Sequence, residues 1–176
     1  IGCYALYQLS TLIFNFCNID VIDFNISFFG LLGCGLFLFS ANNGAMEKVL
    51  DQPKTRFIII SALFGLLYLA LSIIIGVYYF GIANVAFYIF VVIQIPPSFV
   101  VYFNVKHLFS PNDDLGLKKG LKLTDICSII FCVLTIVDIA LWINVNIFSA
   151  IADLIVSLSA AALSYSSIKG AEKWNF

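Results

Sequence analysis

Two carboxylates interrupt the apolar run TIVDIALWINVNIFSAIADLIVS at 135–157, namely Asp138 and Asp153. An acid inside such a run costs on the order of 3 kcal/mol when it meets lipid, so it should face protein or water. Asp138 lies seven residues before Val145 and Asp153 eight after it. With a turn at Val145, a helical rise of about 1.5 Å per residue puts both roughly 10–12 Å from that turn. Two adjoining carboxyls in a dry setting share one proton sooner than both ionise. That chemistry suits a proton or small-cation step. The competing use is a neutral Asp bonded to Ser149, Ser157 or Thr135 as interhelical glue. No Lys or Arg lies at the same depth to form an ion pair.

A second chemical feature is IQIPPSF at 93–99. Successive prolines remove two backbone donors. A helix opened there, with Gln94 beside the break, would leave carbonyls able to hold an ion; the plainer reading is a kink or the end of a span. His107 is the single histidine and adjoins Lys106 at a membrane border, which points to a surface role. The five cysteines show no CxxC pair and no His in metal-ligand spacing, so they read as small hydrophobes. No HExxH, GxSxG or P-loop is present. The expectation is a non-enzymatic chain without metal or cofactor.

These residues need elements to hold them. The chain has 176 residues, 62% hydrophobic and 11% charged, against roughly 45–50% and 25% in soluble domains. Its apolar blocks are about 20 residues long, the length that spans a bilayer as a helix. We expect an all-α polytopic transmembrane bundle, a single domain over 1–176, with about six spans near 2–17, 25–41, 57–80, 83–104, 123–144 and 146–168. The first carries several polar residues and also fits a helix lying in the interface. It has no Lys or Arg, so the basic region of a signal peptide is missing.

The connections alternate. Residues 18–24, the FGIAN around Gly81 and the NVN around Val145 are brief; 42–56, 105–122 and 169–176 are longer and polar. All nine basic residues fall on the longer segments. Cations resist translocation, so those loops and the C-terminus are expected on the cytoplasmic side, or the matrix or stromal side of an organelle. The turns recur about every 60 residues, as an array of three hairpins would require.

Helices in lipid associate through small residues and hydrogen bonds. Ser61, Gly65, Ser72 and Gly76 follow helical spacing, as do Ser149, Asp153, Ser157, Ala160 and Ser164. A third line runs Asp125, Ser128, Cys132, Thr135, Asp138, and the last two should face each other or a third helix. Gly65, Gly76, Ser149 and Ser157 are the expected packing positions; Gln94, Asp138 and Asp153 are the expected ion or proton positions. The partners implied are the lipid bilayer and other membrane subunits or a second copy of the chain. No basic stripe interleaved with aromatics points to nucleic acid. Two functions stay open: movement of protons or small cations, or a structural, assembly or trafficking subunit with no transport of its own.

Overall fold

The computed structural model describes residues 26–41, 53–110, 115–142 and 147–172. Among the described residues all regular structure is helical: α1 Ile26–Ala41, α2 Thr55–Phe80, α3 Val85–Leu108, α4 Leu115–Trp142 and α5 Ile147–Glu172. The expected span 2–17 lies outside the described residues. Among the described residues, α2 and α3 are the two helices long and apolar enough to cross a membrane.

Three helices run further than the sequence suggested. α4 starts at Leu115, so the LysLys segment at 118–119 is helical and not loop. Leu and Lys are good helix formers, and two glycines within a long helix are tolerated when the rest propagates. α3 continues to Leu108 and α5 to Glu172. The extension of α3 matters most, because it carries Lys106 and His107 inside the helix.

α2 and α3 form a tight hairpin. Gly81 has φ 73 and ψ 149, a region that a side chain disfavours. Its N–H donates to Val77 O at 3.1 Å, which closes α2. Asn84 then caps α3 by accepting from Ala86 N–H at 2.9 Å, the usual service of an Asn at a helix start.

α3 is the hub. α1, α2 and α4 all pack on it, and α5 packs along α4. Aromatic and glycine contacts set the directions. Phe57 at the start of α2 stacks on Phe109 just past α3, with ring centroids 4.5 Å apart, while Gly76 near the other end of α2 sits against Phe87 and Phe90. α2 and α3 are therefore antiparallel. On α1, Gly35 lies against Pro96 and Pro97 and Phe39 reaches Phe99 and Phe103, so α1 runs parallel to α3. His107 meets Asp125, which brings the start of α4 to the end of α3. Lys54, Arg56, Lys106 and Lys122 consequently gather at one end of the bundle, opposite the bend at 81–84.

The interior has two apolar clusters. One joins Cys34, Phe90, Ile93, Phe131, Val156, Ala160 and Leu163. The other joins Tyr68, Val100, Val101, Val105, Cys132 and Ile136. What surrounds them inverts the pattern of a water-soluble protein. The residues α2 buries are Ser61, Gly65, Tyr68, Ser72 and Gly76, whereas Leu66 and Ile74 are each 63% exposed and Leu63, Phe64 and Leu67 are exposed as well. The buried serines are satisfied within their own helix: Ser61 donates to Phe57 O at 2.7 Å and Ser72 to Tyr68 O at 2.9 Å.

Candidate functional site

Buried polar side chains collect on α3 and α4. On α3 they are Gln94, Ser98, Asn104 and His107; on α4 they are Asp125, Ser128 and Thr135. On α3 they form two pairs on different sides of the helix, Gln94 with Ser98 and Asn104 with His107, because the step from 98 to 104 is six residues; on α4 the steps of three and seven keep the set on one side. The two sets make contact at two levels.

The first level lies mid-bundle. The Tyr68 hydroxyl, from α2, donates to Gln94 Oε1 at 2.9 Å and approaches Cys132 O at 3.2 Å, a shared donor geometry. Thr135 Oγ1 also donates to Cys132 O, at 2.8 Å. One phenol thus ties three helices together. Gln94 is only 1% exposed, and of the two readings of IQIPPSF the helix opened at the prolines is not what the structure has. α3 runs unbroken through Pro96 and Pro97; the prolines remove the N–H groups that would reach the carbonyls of Val92 and Ile93. Gly35 fits against them: a Cβ there would stand 3.0 Å from Pro97 Cδ.

Tyr68→Phe should lower stability by about 1–2 kcal/mol, because it leaves the buried Gln94 carbonyl without its donor. Thermal unfolding followed by circular dichroism in micelles reads this directly, and an unchanged midpoint would show that the hydroxyl contributes nothing.

The second level lies at the basic end. His107 Nδ1 stands 3.6 Å from Asp125 Oδ1, with side chains 2% and 1% exposed. That distance makes an ion pair when the imidazole is protonated, yet it is too long for a hydrogen bond. Asn104, three residues before His107 on the same face, is fully buried. Both amide atoms of Asn104, both imidazole nitrogens and both Asp125 oxygens have no hydrogen-bond partner among the described residues. Six unanswered polar atoms in one buried place are exceptional, since nine in ten such groups are normally bonded. Lys122 stands one turn before Asp125 on α4, and Lys106, beside His107 in sequence, has its Nζ 5.8 Å from the Phe103 ring centroid.

The sequence-derived positions fare differently. His107 is a correction, for it is buried and faces Asp125, not a surface. Its misreading came from its neighbour Lys106 and from ending the span at 104. The three-residue step from Asn104 to His107, which pairs two polar side chains on one side of a helix, was the signal available. Asp125 was visible as the first member of the α4 line. The side chains of Asp138, Asp153 and Ser149 lie outside the described residues, although helices α4 and α5 carry them. Gly65 and Gly76 both sit in close interhelical contact. Ser157 is exposed, so the buried line of α5 runs instead through Val156, Ala160, Leu163 and Ser166; the helix is rotated from the expected serine stripe.

No three His, Cys, Asp or Glu residues group as metal ligands among the described residues. Cys34, Cys127 and Cys132 form no disulfide among the described residues, and Cys34 and Cys132 pack in the apolar clusters. No family model, curated protein or solved structure matches this chain.

Proposed function

We propose that this chain is an integral membrane protein of about six spans, arranged as three hairpins, that moves protons through a polar file enclosed by its helices. The single observation behind the reading is the pairing of interior and exterior. The helices turn Leu, Ile and Phe outward and keep Gln94, Asn104, His107 and Asp125 inside. Apolar exteriors of this extent are stable in hydrocarbon and not in water. Ionisable side chains held within such a shell are expensive and belong to ion or proton paths by default.

The buried polar positions run from Tyr68 on α2, Gln94 on α3 and Thr135 on α4 to His107 and Asp125. Asp138 extends the α4 spacing by one further turn, and Asp153 stands at a matching distance beyond the connection at 143–146. In this reading Asp138 and Asp153 carry the proton in the half nearer that connection. The basic loops and the C-terminus lie on the cytoplasmic, matrix or stromal side. The activity is not enzymatic and needs no cofactor; the surroundings are lipid and other membrane subunits.

Proton flux into liposomes carrying the full chain is the test. Asp138→Asn and Asp153→Asn should each lower the flux at least about tenfold. Flux equal to wild type in both would remove these acids from the path. Wild-type flux no greater than in protein-free vesicles would refute transport and favour the second reading, a structural or assembly subunit. The Tyr68–Gln94–Cys132 tie favours that alternative, because a satisfied hydrogen-bond bridge between helices is what a packing subunit needs.

A further inference from the structure

We propose that Asn104, His107 and Asp125 form the proton-loading site at the basic end of the bundle. The inference rests on the transport reading and assigns it a site that the carboxylates at 138 and 153 do not supply.

The donor set indicates the ligand. Calcium or magnesium asks for several converging oxygens and zinc for three or four His, Cys or carboxylate ligands, whereas this cluster offers one carboxylate, one amide and one imidazole. Asn104 presents two N–H donors and a carbonyl acceptor, the neutral imidazole one donor and one acceptor, and the carboxylate acceptors alone. A proton arriving with its water matches that mixture, because water donates and accepts at once.

The charge balance agrees. Unloaded, neutral His107 beside ionised Asp125 holds one net negative charge within the bundle, offset in part by Lys122. Loading forms one N–H bond on the imidazole and breaks one O–H bond of hydronium, which leaves as water. The loaded pair, imidazolium and carboxylate 3.6 Å apart, carries no net charge and is less costly to enclose. Unloading reverses the step: the N–H bond breaks, the proton passes to the next acceptor in the file, and the neutral imidazole returns.

Among the described side chains, Lys106 shares α3, Lys122 shares α4, and Lys54 and Arg56 stand exposed at the start of α2; Asp113 and Asp114, and the side chains of Lys118 and Lys119 on α4, lie outside the described residues. α1 contributes no charged residue, and the side chains of Lys169 and Glu172 on α5 lie outside the described residues. Nothing acidic besides Asp125 faces the imidazole among the described side chains, so the two act as one unit.

Two measurements on the full chain test the site. In the liposome assay, Asp125→Asn and Asn104→Ser should lower proton flux about tenfold or more, with the helical circular-dichroism signal retained. Wild-type flux preserved in both variants would overturn the loading site and leave transport standing. The second measurement does not depend on flux. His107 is the only histidine, so protein labelled with 15N-histidine in micelles gives signals from a single imidazole. Those signals should tell the imidazolium from the neutral ring when wild type is moved from acidic to alkaline buffer, and they should differ in Asp125→Asn, where the carboxylate 3.6 Å from Nδ1 is lost. Signals indifferent to the buffer in wild type, or identical in the two proteins, would overturn the inference even where flux is absent.

Discussion

His107→Leu should destabilise the bundle by about 3 kcal/mol or more, and the reason lies with the residue left behind. The substitution leaves Asp125, 1% exposed, as a carboxylate without its imidazole and without any hydrogen bond. Breaking a buried pair by removing one partner strands a charge, which costs on the order of 3–5 kcal/mol. Asp125→Leu should cost clearly less, because an imidazole left alone can stay neutral and loses only a weak, 3.6 Å contact. The double replacement His107→Leu/Asp125→Leu removes both orphans and should recover most of the loss, in line with apolar replacements of buried pairs elsewhere. Denaturant or SDS titration of the four proteins in micelles gives the cycle. Equal losses for the two single variants would mean that the carboxylate is not the costly partner. A double variant no better than His107→Leu would mean that the cluster holds the helices together by packing alone.

Gly65→Leu should be at least as damaging, for a steric reason. A Cβ at Gly65 would already lie 3.0 Å from the Ser98 carbonyl oxygen and 3.2 Å from Tyr102 Cβ. The first obstacle is backbone, which cannot rotate aside, so α2 and α3 must separate along their contact. Overpacking of this kind costs typically 1–3 kcal/mol and occasionally more; a whole isobutyl group against a carbonyl belongs at the upper end, about 3 kcal/mol. Gly76 is a useful contrast. Its nearest neighbour is Phe90 Cδ1 at 2.9 Å, closer in distance but on a ring that can tilt. Gly76→Ala should therefore cost less than Gly65→Ala, despite the shorter distance. Thermal midpoints of the two alanine variants decide the point, and the reverse order would show that the phenylalanine rings are locked.

What could be read from the chain follows from which forces act locally. The expected spans at 25–41 and 57–80 come within two residues of α1 and α2, because long apolar blocks bounded by Asn-Gly or by Pro and Lys have few other conformations. The line Ser61, Gly65, Ser72, Gly76 is buried for the same local reason: small residues at helical spacing admit a neighbour's backbone. The start of α4 was not legible. Gly116, Lys118, Lys119 and Gly120 look like loop by composition, and their helicity comes from propagation into the apolar segment that follows. His107 was hidden for a different reason, since a single histidine beside a lysine carries no sign of a carboxylate 18 residues later. Long-range pairings such as Tyr68 with Gln94 depend on hairpin register, which hydropathy does not encode.

The bend at Gly81 has a consequence for biogenesis. α3 encloses Gln94, Asn104, Lys106 and His107, a load that makes it a poor entrant into lipid as a lone segment. α2 has an almost unbroken apolar exterior and no such load. A four-residue connection leaves the two no slack, so in the membrane reading α2 carries its partner across and the pair leaves the translocation machinery as one body. The glycine that permits the reversal thereby lets a polar-cored helix be delivered already sheltered on one flank.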